Sequence, residues 1–367
     1  MPNAKTREKV LVAVSGGVDS STVLLLLKEQ GYDVIAANMK LWDYADVGAD
    51  LFRDGRCCSL EAINDLRSVC SRLSIPFYVL DFTRQFKEIV IENFISEYKA
   101  GRTPNPCILC NTYLKWSELF RKANELGCDY IATGHYSIIE YDRARMRHII
   151  KKGIDESRDQ SYALWGLSQE ALASTLMPLG EYRKDDIRDI AADYKLKNAD
   201  KPESREICFI ADDDYHRFLR EWEAKQGRAF EPGEIINSNG EVVGYHDGYV
   251  FYTIGQRRGL GISHPTPLYV KDIDPANNRI IVGENKELFR DSMRIKNINW
   301  VAMDRPTDQF RAGVKIRYLH TPAPAEVIPL DKDSADIKFD QPQRAITPGQ
   351  SAVFYENDIV LGGGIIQ

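Results

Sequence analysis

Hydrophobic and polar positions follow two regimes along the chain. Residues 10–14 are continuously apolar, the pattern of a strand buried on both faces. Residues 20–29 are helix-like and stop at Gly31, and residues 34–38 form a second apolar run. A helical pattern over 61–73 precedes a third strand at 77–82. Residues 85–98 carry apolar side chains at helical spacing, until a segment with two prolines, 101–111, breaks it. A helix over 113–126 and a strand over 130–133 follow, then helices over 169–176 and 184–194. Such alternation predicts a parallel sheet covered by helices, with ligands at the carboxyl ends of its strands.

Past about residue 231 the pattern turns to short strands: 249–253, 268–270, 279–282, 314–318 and 352–355. Pro275, Ala276, Asn277 and Asn278 read as a hairpin turn. Short strands at this spacing predict small β barrels.

Composition narrows the class. Charged residues make up 28% of the 367 positions, the net charge is −6, and no apolar run approaches the ~20 residues a bilayer span needs. The charged start, MPNAKTREK, has no apolar signal core, so a cytoplasmic protein without membrane association is expected. Its mild acidity weighs little against a nucleic-acid partner, because binding depends on where charges sit. The seven cysteines are odd in number and unevenly spaced, which argues against a disulfide framework. For Cys70 and Cys128 burial as small apolar residues is the simpler reading.

Chemistry concentrates at Ser15-Gly16-Gly17-Val18-Asp19-Ser20, between a strand and a helix. Glycines there let backbone N–H groups approach phosphate oxygens at a helix amino end. No Gly-Lys-Ser/Thr follows, so this is not a Walker A loop; an ordinary capped glycine turn is the plain alternative. The string S-G-G-x-D-S is that of the ATP pyrophosphatases, which implies cleavage of ATP between its α- and β-phosphates, with Asp19 as a Mg²⁺ ligand. A second constellation pairs Cys107 and Cys110 in a loop before a helix, where the helix field would lower a thiol pKa. Cys208 follows a basic residue in SREICFI, and on its own it reads as a core residue beside Ile207 and Phe209.

Together the strings SGGVDSS, GRTPNPCILCN, ATGHY, RDQSYALW, KPESREICFI, GYHDGYVFYTIGQRRGLGI and PGQSAVFY resemble the tRNA-specific 2-thiouridylase family over almost the whole chain. The resemblance implies an α/β fold. A parallel-sheet ATP pyrophosphatase domain (adenine nucleotide α hydrolase-like) spans 1–212, a small central β-rich domain 213–283 and a C-terminal β-barrel 284–367. It implies ATP-dependent adenylation of the C2 oxygen of uridine 34 in certain tRNAs, then sulfur transfer from a cysteine persulfide. By similarity Cys208 carries the persulfide and Cys110 is its nucleophilic partner, with a transient Cys110–Cys208 disulfide. Ala13, Val14, Ser15, Gly16, Gly17, Val18, Asp19, Ser20, Met39 and Gly134 match nucleotide contacts. Asn105, Pro106 and Cys107 match the segment at the target base. His135, Arg158, Asp159, Gln160, Arg317, Tyr318 and Gln350 match tRNA contacts. Expected partners are tRNAs for Lys, Glu and Gln and a sulfur-donor relay protein, acting on a monomer.

One position departs from the family: many members have Asp where this chain has Cys107. Two readings stand side by side. Cys107 replaces the carboxylate as an acid–base or resolving thiol, or Cys107, Cys110 and Cys208 hold a [4Fe–4S] cluster with one iron open for sulfide. Cys57 and Cys58, in GRCCSLEA, carry no assigned role. The competing functions are another ATP pyrophosphatase-type synthetase and an RNA-binding module with a degenerate nucleotide loop.

Overall fold

The apolar run near the start forms β1 (Lys9–Ala13), in which Val10, Leu11 and Val12 are fully buried, as a central strand covered on both faces requires. The structure is a computed structural model and describes residues 7–43, 60–196, 207–210 and 212–367. Cys57 and Cys58 lie outside the described residues. The chain divides into two compact units: 1–90, 107–213 and 358–360 form the first, and 91–106, 214–357 and 361–367 the second.

In the first unit β1 is joined by β2 (Asp33–Lys40), β3 (Phe77–Asp81) and β4 (Tyr130–Ala132). After a hairpin of β5 (Ser137–Asp142) and β6 (Arg147–Lys152), β7 (Thr175–Leu176) completes the sheet. The order is β3-β2-β1-β4-β7, and every pairing is parallel. The chain therefore adds strands on one side of β1 and then crosses to the other. That makes the β1/β4 carboxyl edge the switch point at which open α/β sheets take ligands. Helices α1 (Val18–Glu29) and α2 (Leu60–Arg72) follow β1 and β2. Next come α3 (Thr83–Phe86) and a π-helical stretch Lys87–Ile91, from which the chain passes into α4 (Glu92–Lys99) of the second unit. Then α5 (Pro106–Leu109), a second π-helical stretch Cys110–Leu119 and α6 (Phe120–Glu125) follow. Helices α7 (Gln169–Ala173) and α8 (Lys184–Asp193) close the unit. Nearly every residue of α1 is buried, because Leu24 and Leu27 share a core with Leu66, Ile187 and Ala191.

Besides α4, the second unit contains α9 (Tyr215–Ala224). A four-stranded sheet follows, of β8 (Gly233–Asn237), β9 (Val242–His246), β10 (Tyr269–Asp274) and β11 (Arg279–Gly283), in the order β10-β11-β8-β9. Then come β12 (Phe289–Trp300), β13 (Phe310–Lys315), β14 (Ala323–Pro329), β15 (Ser334–Arg344), β16 (Ser351–Glu356) and β17 (Ile359–Ile366). They run β12-β15-β14-β13-β16-β17, and β17 pairs back onto β12, so the barrel has no free edge.

Three local expectations need correction, and one element is additional. Residues 249–253 are not a strand: Tyr249–Phe251 is a 3₁₀ turn behind Gly248, whose φ of 144° is open to glycine and strained for residues with a side chain. The helix expected over 169–176 stops at Ala173, and Thr175–Leu176 turns extended to pair with β4. The strand expected over 314–318 ends at Lys315. The β5–β6 hairpin was not anticipated.

Candidate active site

The glycine turn leaves the carboxyl end of β1 and enters α1. Gly16 has φ +86°, and a Cβ there would stand 3.0 Å from Ala62 Cβ, so both conformation and space require glycine. The loop is held by its own serines. Ser20 Oγ accepts from the Ser15 N–H at 3.1 Å and donates to the Gly17 carbonyl at 3.2 Å. Gly17 is the N-cap and has no side chain to cap the helix, so the first-turn N–H groups of α1, at its electropositive end, receive no bond from that residue's side chain. Gly134 follows β4, and a Cβ there would stand 3.1 Å from the Ser20 nitrogen and 3.2 Å from Asp19 Cβ. Its lack of a side chain is what lets β4's exit lie against the loop. Met39 is buried on β2.

Asp19, in the first turn of α1, is held by two groups absent from the sequence reading. Lys184 Nζ contacts its carboxylate oxygens at 2.7 and 2.8 Å, and the Tyr136 hydroxyl donates to Oδ1 at 2.7 Å. The Lys184 side chain is 4% exposed. A signal existed: Lys184 opens a helix, where a cation runs against the helix dipole. Tyr136 ends the ATGHY string.

Cys110 is buried at the head of the π-helical stretch, which kinks at Trp116, and Cys107 lies one turn earlier with solvent access. The helix field does not dominate these thiols as expected. Desolvation by the surrounding protein pushes the thiol of buried Cys110 above the ordinary range, and that of Cys107 too although this residue still reaches solvent; the Lys115 ammonium opposes the rise in both. Lys115 Nζ donates to Asn111 Oδ1 at 2.9 Å, and Asn111 Nδ2 donates to the Ala163 carbonyl at 3.0 Å. Cys208 is half-buried on a turn closed by Ile210 N–H to the Ile207 carbonyl at 3.0 Å. Phe209 pins that turn edge-on to Phe86, with ring centroids 5.6 Å apart.

Among the described residues no group of three His, Cys, Asp or Glu side chains gathers to hold a metal. Cys107, Cys110 and Cys208 are thus not gathered in this structure, either for a cluster or for the Cys110–Cys208 disulfide. The reason lies in the local folds: Cys107 and Cys110 ride one helix, while Cys208 is held on a separate turn by Phe209.

The tRNA candidates divide. His135 is buried, its Nδ1 lies 2.7 Å from Thr133 Oγ1, and desolvation holds its pKa well below the usual imidazole range. Asp159 is buried and accepts from the Ser161 N–H and hydroxyl at 3.0 and 2.9 Å. Gln160 Oε1 accepts from the Tyr136 N–H at 3.0 Å, and Arg158 is half-buried on the turn after Asp155. In the second unit Gln350 Nε2 donates to the carbonyls of Thr103 and Pro104 at 3.0 and 3.1 Å, so it holds the segment that leads to Asn105 and Pro106. Tyr318 is exposed, and Arg317 Nη1 donates to the Arg344 carbonyl at 3.2 Å.

Family models match nearly the whole chain. One described as "tRNA methyl transferase HUP domain" covers residues 8–212, a "PRC-barrel domain" of the same family 224–284, and an "Aminomethyltransferase beta-barrel domain" 290–366. The chain is 46% identical over 360 residues to "tRNA-specific 2-thiouridylase MnmA" of Clostridioides difficile, covering 98% of each. It is 49% identical over 362 residues to the protein of that name from Salinibacter ruber, covering 98% of this chain and 94% of that one. Among solved structures, a U34-tRNA thiolase NcsA from Methanococcus maripaludis aligns at 19% identity over 61% of this chain and 74% of that one, with a TM-score of only 0.36.

Proposed function

The chain belongs to the tRNA-specific 2-thiouridylase family, and from that premise we propose that it uses ATP to replace the C2 oxygen of uridine 34 in tRNA anticodons by sulfur. The observation that carries the reading is the uncapped amino end of α1, set behind a glycine turn at the switch point of the sheet. That is a phosphate site, and the chain around it supplies two thiol segments rather than an ammonia-feeding domain. In this reading the C2 oxygen bonds to the α-phosphorus of ATP. The α–β bridging bond breaks onto pyrophosphate, and the base N3 proton is lost to solvent. Cys208 receives its persulfide sulfur from a relay protein. The Cys110 thiolate attacks Cys208 Sγ, forming a Cys110–Cys208 disulfide and releasing hydrosulfide. Hydrosulfide adds at C2 and AMP leaves. An external thiol then reduces the disulfide.

Cys107 fits the role of an acid–base or resolving thiol, since it is accessible and one turn from Cys110. A Mg²⁺ ion fits only as one held by Asp19 and nucleotide phosphate oxygens, the donor set this ion prefers. The substrates proposed are the tRNAs for Lys, Glu and Gln. Two readouts test the proposal together: pyrophosphate release from ATP that depends on added tRNA, and the mass gained by the product nucleoside. A gain equal to oxygen-for-sulfur exchange supports thiolation. A gain of one methyl group would mark a tRNA methyltransferase instead, and release driven by a small amide acceptor would mark a synthetase.

A further inference from the structure

We propose that Lys184 is a nucleotide-binding residue of this site, held ready by Asp19, whose ammonium takes up the charge of the pyrophosphate leaving group. The inference rests on the ATP chemistry proposed above and adds a residue to it.

Four observations converge. The Lys184 side chain is 4% exposed, yet its ammonium reaches both oxygens of Asp19, inside the phosphate loop and 165 positions away in sequence. A buried lysine–carboxylate pair contributes little net stability against the desolvation it costs, so stability alone does not account for it. Lys184 is the first residue of α8, where a cation opposes the helix dipole, so the helix does not favour it either. Its position is nevertheless fixed: its N–H donates to Asp155 Oδ2 at 3.1 Å, and its Nζ lies 5.7 Å from the centre of the Tyr136 ring. Finally, Asp19 has a second partner in the Tyr136 hydroxyl, so its carboxylate keeps a hydrogen bond if the ammonium turns away.

The chemistry calls for such a group. When the α–β bond of ATP breaks, the electron pair leaves on the bridging oxygen and pyrophosphate gains negative charge. First-turn N–H groups of α1 serve the phosphates as dipoles only. A preorganised ammonium beside them supplies a full charge where charge develops.

The test compares binding of inorganic pyrophosphate, without divalent metal, by titration calorimetry in wild type, Lys184→Met, Lys184→Arg and Asp19→Asn. Lys184→Met is expected to lose affinity about tenfold or more, and Lys184→Arg to keep part of it. Asp19→Asn breaks the same ion pair but removes a repelling charge, so it is expected to bind as well as wild type or more tightly. Opposite signs from two variants that break one contact separate binding from scaffolding. Should Lys184→Met fold poorly, the double variant Asp19→Asn/Lys184→Met leaves no unpaired buried charge and is expected to stay weak. Equal losses in Lys184→Met and Asp19→Asn, unchanged affinity in Lys184→Met, or a wild type that does not bind pyrophosphate would each overturn the proposal. A wild type that binds pyrophosphate but never releases it from ATP in the presence of tRNA would instead overturn the thiolation reading.

Discussion

Lys115 lies on the same helical stretch as Cys110 and acts on three groups at once: it pulls the Cys107 and Cys110 thiols down against burial and lowers the imidazole of His135. The thiols nonetheless stand above their ordinary value, so near neutrality only a small fraction is thiolate. Peptide-resolved alkylation of Cys107 should rise about tenfold per pH unit up to and beyond pH 9. Lys115→Gln removes the opposing cation, so the profile should move to higher pH and the rate at pH 8 should fall about threefold or more. An unmoved profile would show that Lys115 does not tune the thiols. His135 has the reverse consequence. Its depressed pKa means a neutral ring is required in the fold, so its contribution to stability is present above the unfolded imidazole value of 6.5 and is lost as pH falls below it. Nitrogen chemical shifts of His135 should show no titration between pH 6 and 8, and a titration there would contradict its burial.

At the scale of elements, two glycines carry the placement of the loop and the hairpin beside it. A Cβ on Gly134 would press on the Ser20 nitrogen and Asp19 Cβ, displacing the phosphate loop by a few tenths of an ångström. Gly134→Ala should weaken ATP binding about tenfold while unfolding midpoints stay near wild type. At Gly180 a Cβ would fall 2.1 Å from the Ser137 carbonyl oxygen, with no flexible neighbour to yield. Gly180→Ala should destabilise by about 2 kcal/mol or more in denaturant melts. The sequence showed the first of these contexts and hid the second. β1 and its loop were legible because a central parallel strand reads as an unbroken apolar run and the turn needs glycine at a positive φ. The β5–β6 hairpin was hidden because Asp142, Arg143, Arg145, Arg147 and His148 break up any apolar run and its strands are only partly buried. The aromatic run at Tyr249 looked extended, but the Tyr249 hydroxyl donates to the Lys99 carbonyl at 2.7 Å and Gly248 turns the chain. Lys184 meets Asp19 only through the packing of α1 against α8, and no spacing rule spans such a separation.

The molecule as a whole carries a net charge of −6, and its proposed substrate is a polyanion, so long-range electrostatics work against association. Binding must then come from local groups, and the barrel offers a defined set. Lys315 is buried, its Nζ 5.9 and 5.8 Å from the ring centres of Tyr318 and Tyr355, and beyond Ile316 the chain exposes Arg317 and Tyr318. Cation and aromatic groups contribute differently to RNA binding, and salt separates them. A phosphate contact releases counterions, whereas a base stacked on tyrosine does not. Arg317→Ala should therefore weaken tRNA binding and reduce the slope of log K against log salt by about 0.7 to 0.9. Tyr318→Ala should weaken binding by about 1 to 3 kcal/mol at every salt concentration, with the slope unchanged. Filter binding or anisotropy over a salt series reads both quantities. If Arg317→Ala leaves affinity and slope as in wild type, this face of the barrel does not touch the tRNA backbone. If Tyr318→Ala changes the slope, its effect is displacement of neighbouring cations rather than loss of a stacked base.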